Sequence, residues 1–305
     1  MEIEKRNPSV LETNVFYLVE GILLLILGGY VQSKEIYSGL LITQYLLILA
    51  PTIIYLKIRG YSLKTVLKLN KISLKQAILV PLIVIFSYPV AIFVNYLLVL
   101  LLSNFMELKP IPIPIPQNSK EFLMSLIIIS ITPGICEEVL FRGMVMSSYN
   151  KLGKKSAILI SAMLFGIYHF NIQNLLGPTF LGIVFGYLVY KTGSIFTSMI
   201  AHGVNNAIAL SISYFLIDKL DNIPVETEAI TAVNSSLVTA MSIIIGGVFA
   251  LISGVIALRL YRAMPRGKDI EILDYKKYTS RFIEYIPVII VIVVFVIYNY
   301  LAFFS

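Results

Sequence analysis

The chain has 305 residues, of which 58% are hydrophobic and 13% charged, about half the charge of an ordinary soluble domain. The deficit falls in long uncharged runs, which excludes a soluble globular protein and points to membrane spans. A net charge of +7 in such a chain reflects basic loops, not a nucleic-acid partner, and one cysteine, Cys136, excludes an intramolecular disulfide.

Taken in order, a polar start with Lys5 and Arg6 precedes an apolar run, Val15–Val31, broken only by Glu20. No small-residue cleavage site follows, so this run reads as a retained span that doubles as the insertion signal. The second span is Ile36–Lys57. After it comes a basic stretch from Arg59 to Lys75, with Lys64, Lys68 and Lys71, expected to lie as an interfacial amphipathic segment touching anionic lipid. The third span is Ala77–Ser103. The alternating prolines of Lys109–Pro116 cannot be helical and predict an extended connector.

The fourth span, Glu121–Asn150, is apolar except around Glu137, Glu138 and Arg142, with Pro133 and Gly134 placed to kink or loosen it. Lys155–Phe170, Asn174–Tyr190 and Ser194–Leu216 are the fifth to seventh. An acidic loop with Asp218, Asp221, Glu226 and Glu228 leads to Leu237–Leu258, and a charged loop, Arg259–Glu284, to Ile286–Phe304. The expected fold is all-α, a polytopic transmembrane bundle of about eight to nine spans. A cytoplasmic N-terminus puts every basic cluster on one face, as the positive-inside rule requires. Three regions follow: 1–120 with N-terminal spans, basic loop and connector; 121–216 as a core whose spans carry the intramembrane polar residues; and 217–305 with the C-terminal spans.

Charges at mid-bilayer cost at least ~2.5–3.5 kcal/mol each, yet the fourth span holds three within six positions. Glu138 and Arg142 are spaced i,i+4 and can pair. Glu137 points ~100° away, so one arginine cannot neutralise both carboxylates, leaving one structural and one free to act as a general base. Counting ~1.5 Å per residue from the helix ends puts Glu137 roughly 20 Å deep, His169 roughly 21 Å, His202 roughly 12 Å and Asn206 roughly 18 Å. Three helices thus bring acid, imidazole and carboxamide groups to one layer. His202 and Asn206 share a helix face and can donate to an oxyanion, with Asn205 slightly displaced. Phe165 lies one turn before His169 and can buttress it. Gly166, Gly182 and Gly186 permit close helix approach, and Ser194, Thr197 and Ser198 read as helix-to-helix glue. Plainer readings stand beside these. Glu138 with Arg142 is a structural or gating pair, Glu137 an ion-pathway residue, either histidine a partner for a carbonyl, and Cys136 a small buried hydrophobe.

Three motifs recur in these residues: E-E-x-x-x-R from Glu137 to Arg142, F-x-x-x-H from Phe165 to His169, and H-x-x-x-N from His202 to Asn206. In this order, each on its own span, they resemble the CAAX-protease and bacteriocin-processing family, intramembrane endopeptidases related to Ras-converting enzyme. The resemblance covers roughly Glu121 to Leu216. It implies that Glu137 and His169 activate the attacking water, that His202 and Asn206 stabilise the oxyanion, and that Glu138 and Arg142 hold the helix. Members are described both as metalloproteases and as glutamate-dependent proteases. There is no H-E-x-x-H helix, but Glu137, His169 and His202 could supply three ligands to one divalent metal such as zinc. The implied partners are the lipid bilayer and a lipidated (CAAX-type) or amphipathic peptide substrate, with no nucleic acid. The implied location is the plasma membrane of a prokaryote. Two rival functions remain open at this point: a proton-coupled carrier using the Glu/His layer, and a non-catalytic membrane adaptor.

Overall fold

The chain enters its first helix through a capping box. The Ser9 hydroxyl accepts from the Glu12 N–H, and the Glu12 carboxylate accepts from the Ser9 N–H. The computed structural model describes residues 7–109, 114, 116–217, 235–267 and 278–304. Helix α1 covers Val10–Lys34, α2 Ile36–Ile58, α3 the single turn Leu63–Val66, α4 Leu74–Leu102 and α5 Ser119–Leu152. Then follow α6 (Lys154–Ile167), α7 (Leu176–Thr192), α8 (Phe196–Leu216), α9 (Ser235–Ala263) and α10 (Ile286–Phe304). Among the described residues there is no strand.

Among the described residues eight helices are long and apolar enough to cross a membrane, and large apolar side chains such as Ile26, Leu46, Ile78 and Ile244 stand exposed along them. In water such a surface would aggregate, whereas in lipid it costs nothing. The molecule is a multi-pass integral membrane protein.

Eight falls within the expected eight to nine spans, and the stretch that drops out is the fifth. Lys155–Phe170 is not a full crossing: α6 has 14 residues, about 21 Å of rise against a hydrocarbon core of ~30 Å. Its start is set by Gly153, whose φ of +90° turns the chain sharply out of α5. Its end falls before His169, so that this exposed imidazole sits in a turn instead of on a continuing helix. The third span begins earlier than expected, at Leu74, because Ser73 and Gln76 form a second capping box.

The basic stretch 59–75 also differs from an interfacial amphipathic helix. Only Leu63–Val66 is helical, and the rest docks onto the bundle. Lys68 Nζ donates to Ser147 Oγ at 2.8 Å, Asn70 Nδ2 donates to the Gly193 carbonyl at 2.8 Å, and Ser194 Oγ donates to the Asn70 carbonyl at 2.6 Å. The acidic loop, the polar residues 1–6 and most of the proline connector lie outside the described residues.

Helix α9 runs along α4, and α4 also packs on α7 and α8; α1 packs on α10. Buried polar side chains tie the outer helices inward. Asn14 Nδ2 donates to the Glu284 carbonyl, Tyr149 Oη donates to Asn14 Oδ1, and Tyr17 Oη donates to the Leu164 carbonyl. In lipid, helices gain little from apolar burial against each other, so such bonds and close backbone packing hold them.

The α6–α7 hairpin packs closely through glycines. Gly166 faces Thr179, Gly182 faces Ala162 and Gly186 faces Ile158, an antiparallel register in which a Cβ on Gly182 would stand 3.0 Å from Ala162 Cα and 3.0 Å from Arg142 Nη2. Gly182→Ala is therefore expected to lower stability by about 1–3 kcal/mol through overpacking. Thermal unfolding of the purified protein in detergent, beside Gly29→Ala, where nothing stands within 4 Å, measures it.

Candidate active site

Gly134 brings α5 against α8. A Cβ there would lie 3.0 Å from both the Gly203 nitrogen and the Met199 carbonyl. This crossing sets Glu137 and Glu138 on α5 opposite His202 on α8. Pro133 does more than loosen the helix, which winds wide over Leu126–Ile131 just before it and over Val139–Val145 just after the carboxylates. Proline has no N–H for the carbonyl four residues back, which is that of Ile129. Asn206 Nδ2 donates to the Ile129 carbonyl at 3.0 Å, and Asn205 Nδ2 donates to Asn206 Oδ1 at 3.1 Å. The carboxamide of Asn206 is thus pinned across the helix interface, with its second N–H still to give.

The two adjacent carboxylates have different surroundings. Glu138 is fully buried, accepts from Arg142 Nη1 at 2.9 Å, and lies 3.0 Å from His202 Nδ1. The Arg142 guanidinium is 1% exposed and stacked over Phe165 at 4.5 Å and Phe185 at 5.3 Å. Aromatic faces recover part of what water would have given the cation. Glu137 turns the other way. Its Oε1 accepts from Gln44 Nε2 at 2.7 Å, while its Oε2 is buried without a partner and lies 3.9 Å from His202 Nε2.

Both histidines can be assigned a tautomer from acceptor-only neighbours. His202 Nδ1 faces a carboxylate oxygen and His169 Nδ1 faces the Phe165 carbonyl at 2.9 Å, so in each neutral ring Nδ1 carries the hydrogen and Nε2 the lone pair. Phe165 stands edge-on to both imidazoles, with centroids 5.1 Å from His169 and 5.5 Å from His202. Phe185 stacks on the other side of His202 at 5.5 Å. One cavity of about 600 Å³ collects Glu137, His169, His202, Asn205 and Asn206, with Gln44, Asn95 and Phe185 also on its wall.

The turn that carries His169 is clamped from both sides. Phe170 adopts φ +47°, a left-handed conformation costly for a large side chain. Asn299 on α10 donates to the Phe170 carbonyl at 3.3 Å and accepts from the Ile172 N–H at 2.8 Å. Asn95 on α4 donates to the Gln173 carbonyl at 2.8 Å and accepts from the Gly177 N–H at 3.1 Å.

All the residues singled out in the sequence are brought to this cavity or directly behind it, Glu138, Arg142 and Phe165 included. The metal-ligand set is a different matter. Among the described residues no three His, Cys, Asp or Glu side chains come together closely enough to hold a metal ion. Glu137, His169 and His202 have donor types that suit zinc, yet Glu137 Oε1 is engaged by Gln44, and the three do not form a ligand triad as arranged. Gln44, Phe185, Asn95 and Asn299 were not foreseen. For Gln44 the available signal was a lone carboxamide amid an apolar run, the same cost argument that singled out Glu137.

Fold and cavity together define an integral membrane helix bundle with an acid–imidazole–carboxamide pocket. Residues 119–208 match the family described as type II CAAX prenyl endopeptidase Rce1-like. The chain is also 31% identical over 127 residues to the "Putative membrane peptidase YdiL" of Bacillus subtilis (strain 168), covering 41% of this chain and 47% of that relative, about half its length. No solved structure matches the chain. The resemblance to the CAAX-protease and bacteriocin-processing family carried by the three motifs therefore holds over the middle third of the sequence.

Proposed function

We propose that this protein is an intramembrane endopeptidase that hydrolyses a peptide bond near the C-terminus of a lipidated or amphipathic substrate. The observation that carries the reading is the Glu137 carboxylate, its Oε2 without a hydrogen-bond partner, on the wall of a cavity shared with two imidazoles and a pinned carboxamide. The match to a prenyl endopeptidase family and a relative named as a membrane peptidase support it.

A peptide lying in the cavity presents its carbonyl between Glu137 and the α8 pair. Water held by Glu137 Oε2 and His169 Nε2 gives a proton to the carboxylate as its oxygen attacks the carbonyl carbon. The oxyanion accepts from the second Asn206 N–H and from His202 Nε2–H when that ring is doubly protonated. Glu137 then passes the proton to the leaving amine nitrogen as the C–N bond breaks, so one water is consumed and Glu137 is regenerated. The apolar and aromatic walls, among them Tyr88, Ile92 and Leu181, suit a hydrophobic substrate segment. The N-terminus is assigned to the cytoplasm from the basic-loop asymmetry, and the membrane to a prokaryotic plasma membrane from the family and the bacterial relative.

The test is cleavage of fluorogenic peptides, with and without a C-terminal lipid, by the detergent-purified protein. Activity that persists in Glu137→Gln or His202→Ala would remove the assignment. A steady proton flux in proteoliposomes without cleavage would replace it with a carrier.

Because this route has no metal step, cleavage is expected to continue after chelation. Metal analysis of wild-type protein and Glu137→Gln, run beside the assay, checks the zinc-type alternative. Asn299→Leu is expected to lower kcat about tenfold or more with KM little changed. It frees the His169 turn without touching the substrate, and misplacement by ~1 Å costs up to about 10²-fold.

A further inference from the structure

Remote from this cavity, four cations surround a second one. Lys154 opens α6, Lys191 lies in the last turn of α7, Arg262 lies in the last turn of α9, and Arg266 follows it; with Tyr190, Tyr261 and Met264 they line a cavity of about 540 Å³. Three helices thus bring positive charge to one level at their ends. Among the described residues no carboxylate pairs with any of the four. Arg266 stands close enough to repel both Lys154 and Lys191.

Like charges left to solvent would splay apart, but two of the four, Lys191 and Lys154, are held in place. Lys191 Nζ donates to the Tyr261 carbonyl, and to the Arg262 carbonyl at 3.2 Å, and lies over the Tyr261 ring at 4.4 Å. Lys154 Nζ lies over the rings of Tyr187 and Tyr190 at 5.6 and 5.4 Å. The segment after α9 is seated on the end of α7. Gly267 N–H donates to the Lys191 carbonyl at 3.0 Å, and a Cβ on Gly267 would collide with the Thr192 carbonyl. Met264, 2% exposed, lies beneath. The cluster is therefore a concavity with concentrated positive charge, aromatic walls and, among the described residues, no paired carboxylate.

We propose that this cavity binds a phosphate-bearing anion, the headgroup phosphate of an anionic phospholipid. The position favours the lipid source: the cations sit where spans α7 and α9 end, at headgroup level, and basic pockets between transmembrane helices at that level take anionic headgroups. A phosphodiester supplies acceptor oxygens to several ammonium and guanidinium donors at once. The site lies outside the proposed reaction and stands independently of it.

The whole chain is used, including Asp269, Glu271 and Asp274, which lie outside the described residues. Thermal stability in neutral detergent is followed against the mole fraction of phosphatidylglycerol, of phosphatidylcholine, and against inorganic phosphate alone. Phosphatidylglycerol is expected to stabilise at low mole fraction and phosphatidylcholine is not. Lys154→Gln with Arg266→Gln should weaken the half-saturating fraction about 30-fold, as two cations near a headgroup imply. Lys57→Gln with Lys64→Gln, an equal loss of charge at exposed positions elsewhere, should leave it unchanged. The charge-preserving Lys154→Arg with Arg266→Lys should keep the response, which separates loss of the site from loss of the fold. Stabilisation by inorganic phosphate equal to that by lipid would keep the anion site and make its ligand soluble. No stabilisation by either, or equal weakening in the two neutralised variants, would overturn the proposal.

Discussion

Glu137→Gln should reduce peptide cleavage by about 10³-fold or more while leaving the protein folded. Two effects combine in that figure. Glutamine cannot accept the proton of the attacking water, and positioned general acid–base groups are worth about 10²–10⁴-fold. The substitution also keeps the volume and the partner: an amide oxygen accepts from Gln44 Nε2 as the carboxylate oxygen does at 2.7 Å. Stability should therefore hold or rise, since an uncompensated buried charge is removed. Thermal unfolding and single-turnover cleavage on the same sample separate the two. A variant that is both inactive and unfolded would place Glu137 in the scaffold instead.

Arg142→Met should have the opposite signature, a loss of about 3–5 kcal/mol of stability, because it leaves Glu138 charged and buried beside His202. Removing the partner as well, Arg142→Met with Glu138→Gln, should recover much of that loss, as replacing a buried pair by neutral groups often does. Denaturation midpoints of the single and double variants form a cycle whose coupling should be large and favourable. Independent, additive losses would mean that the pair is not the anchor of α5. Even a well-folded double variant should cleave slowly, because His202 Nδ1 then faces an amide, and the orientation of Nε2 toward Glu137 loses its charged guide.

Most of the bundle was legible from run length, because lipid leaves a chain few options besides apolar helices. The polar site was legible for the same reason: each ionisable group in a span demands a partner, so Glu137, Glu138, Arg142, His169 and His202 announced themselves by cost. What escaped was set by tertiary contact. Helix α6 reads as a span from Lys155 to Phe170, yet the chain turns at His169 because Asn95 and Asn299, from helices far off in sequence, satisfy the backbone of the turn. Gln44 and Phe185 reach the site through packing that periodicity does not encode.

The missing hydrogen on Pro133 has a consequence for the geometry of the whole pocket. A carbonyl that an ordinary helix would keep for itself is lent to the neighbouring helix, and the Asn206 carboxamide takes its bearing from it. The imino acid thereby acts at a distance as a locating pin for a group on another span. Pro133→Ala would return the Ile129 oxygen to its own helix and leave that carboxamide free to rotate, loosening the oxyanion-facing side of the cavity while every titratable side chain stayed in place.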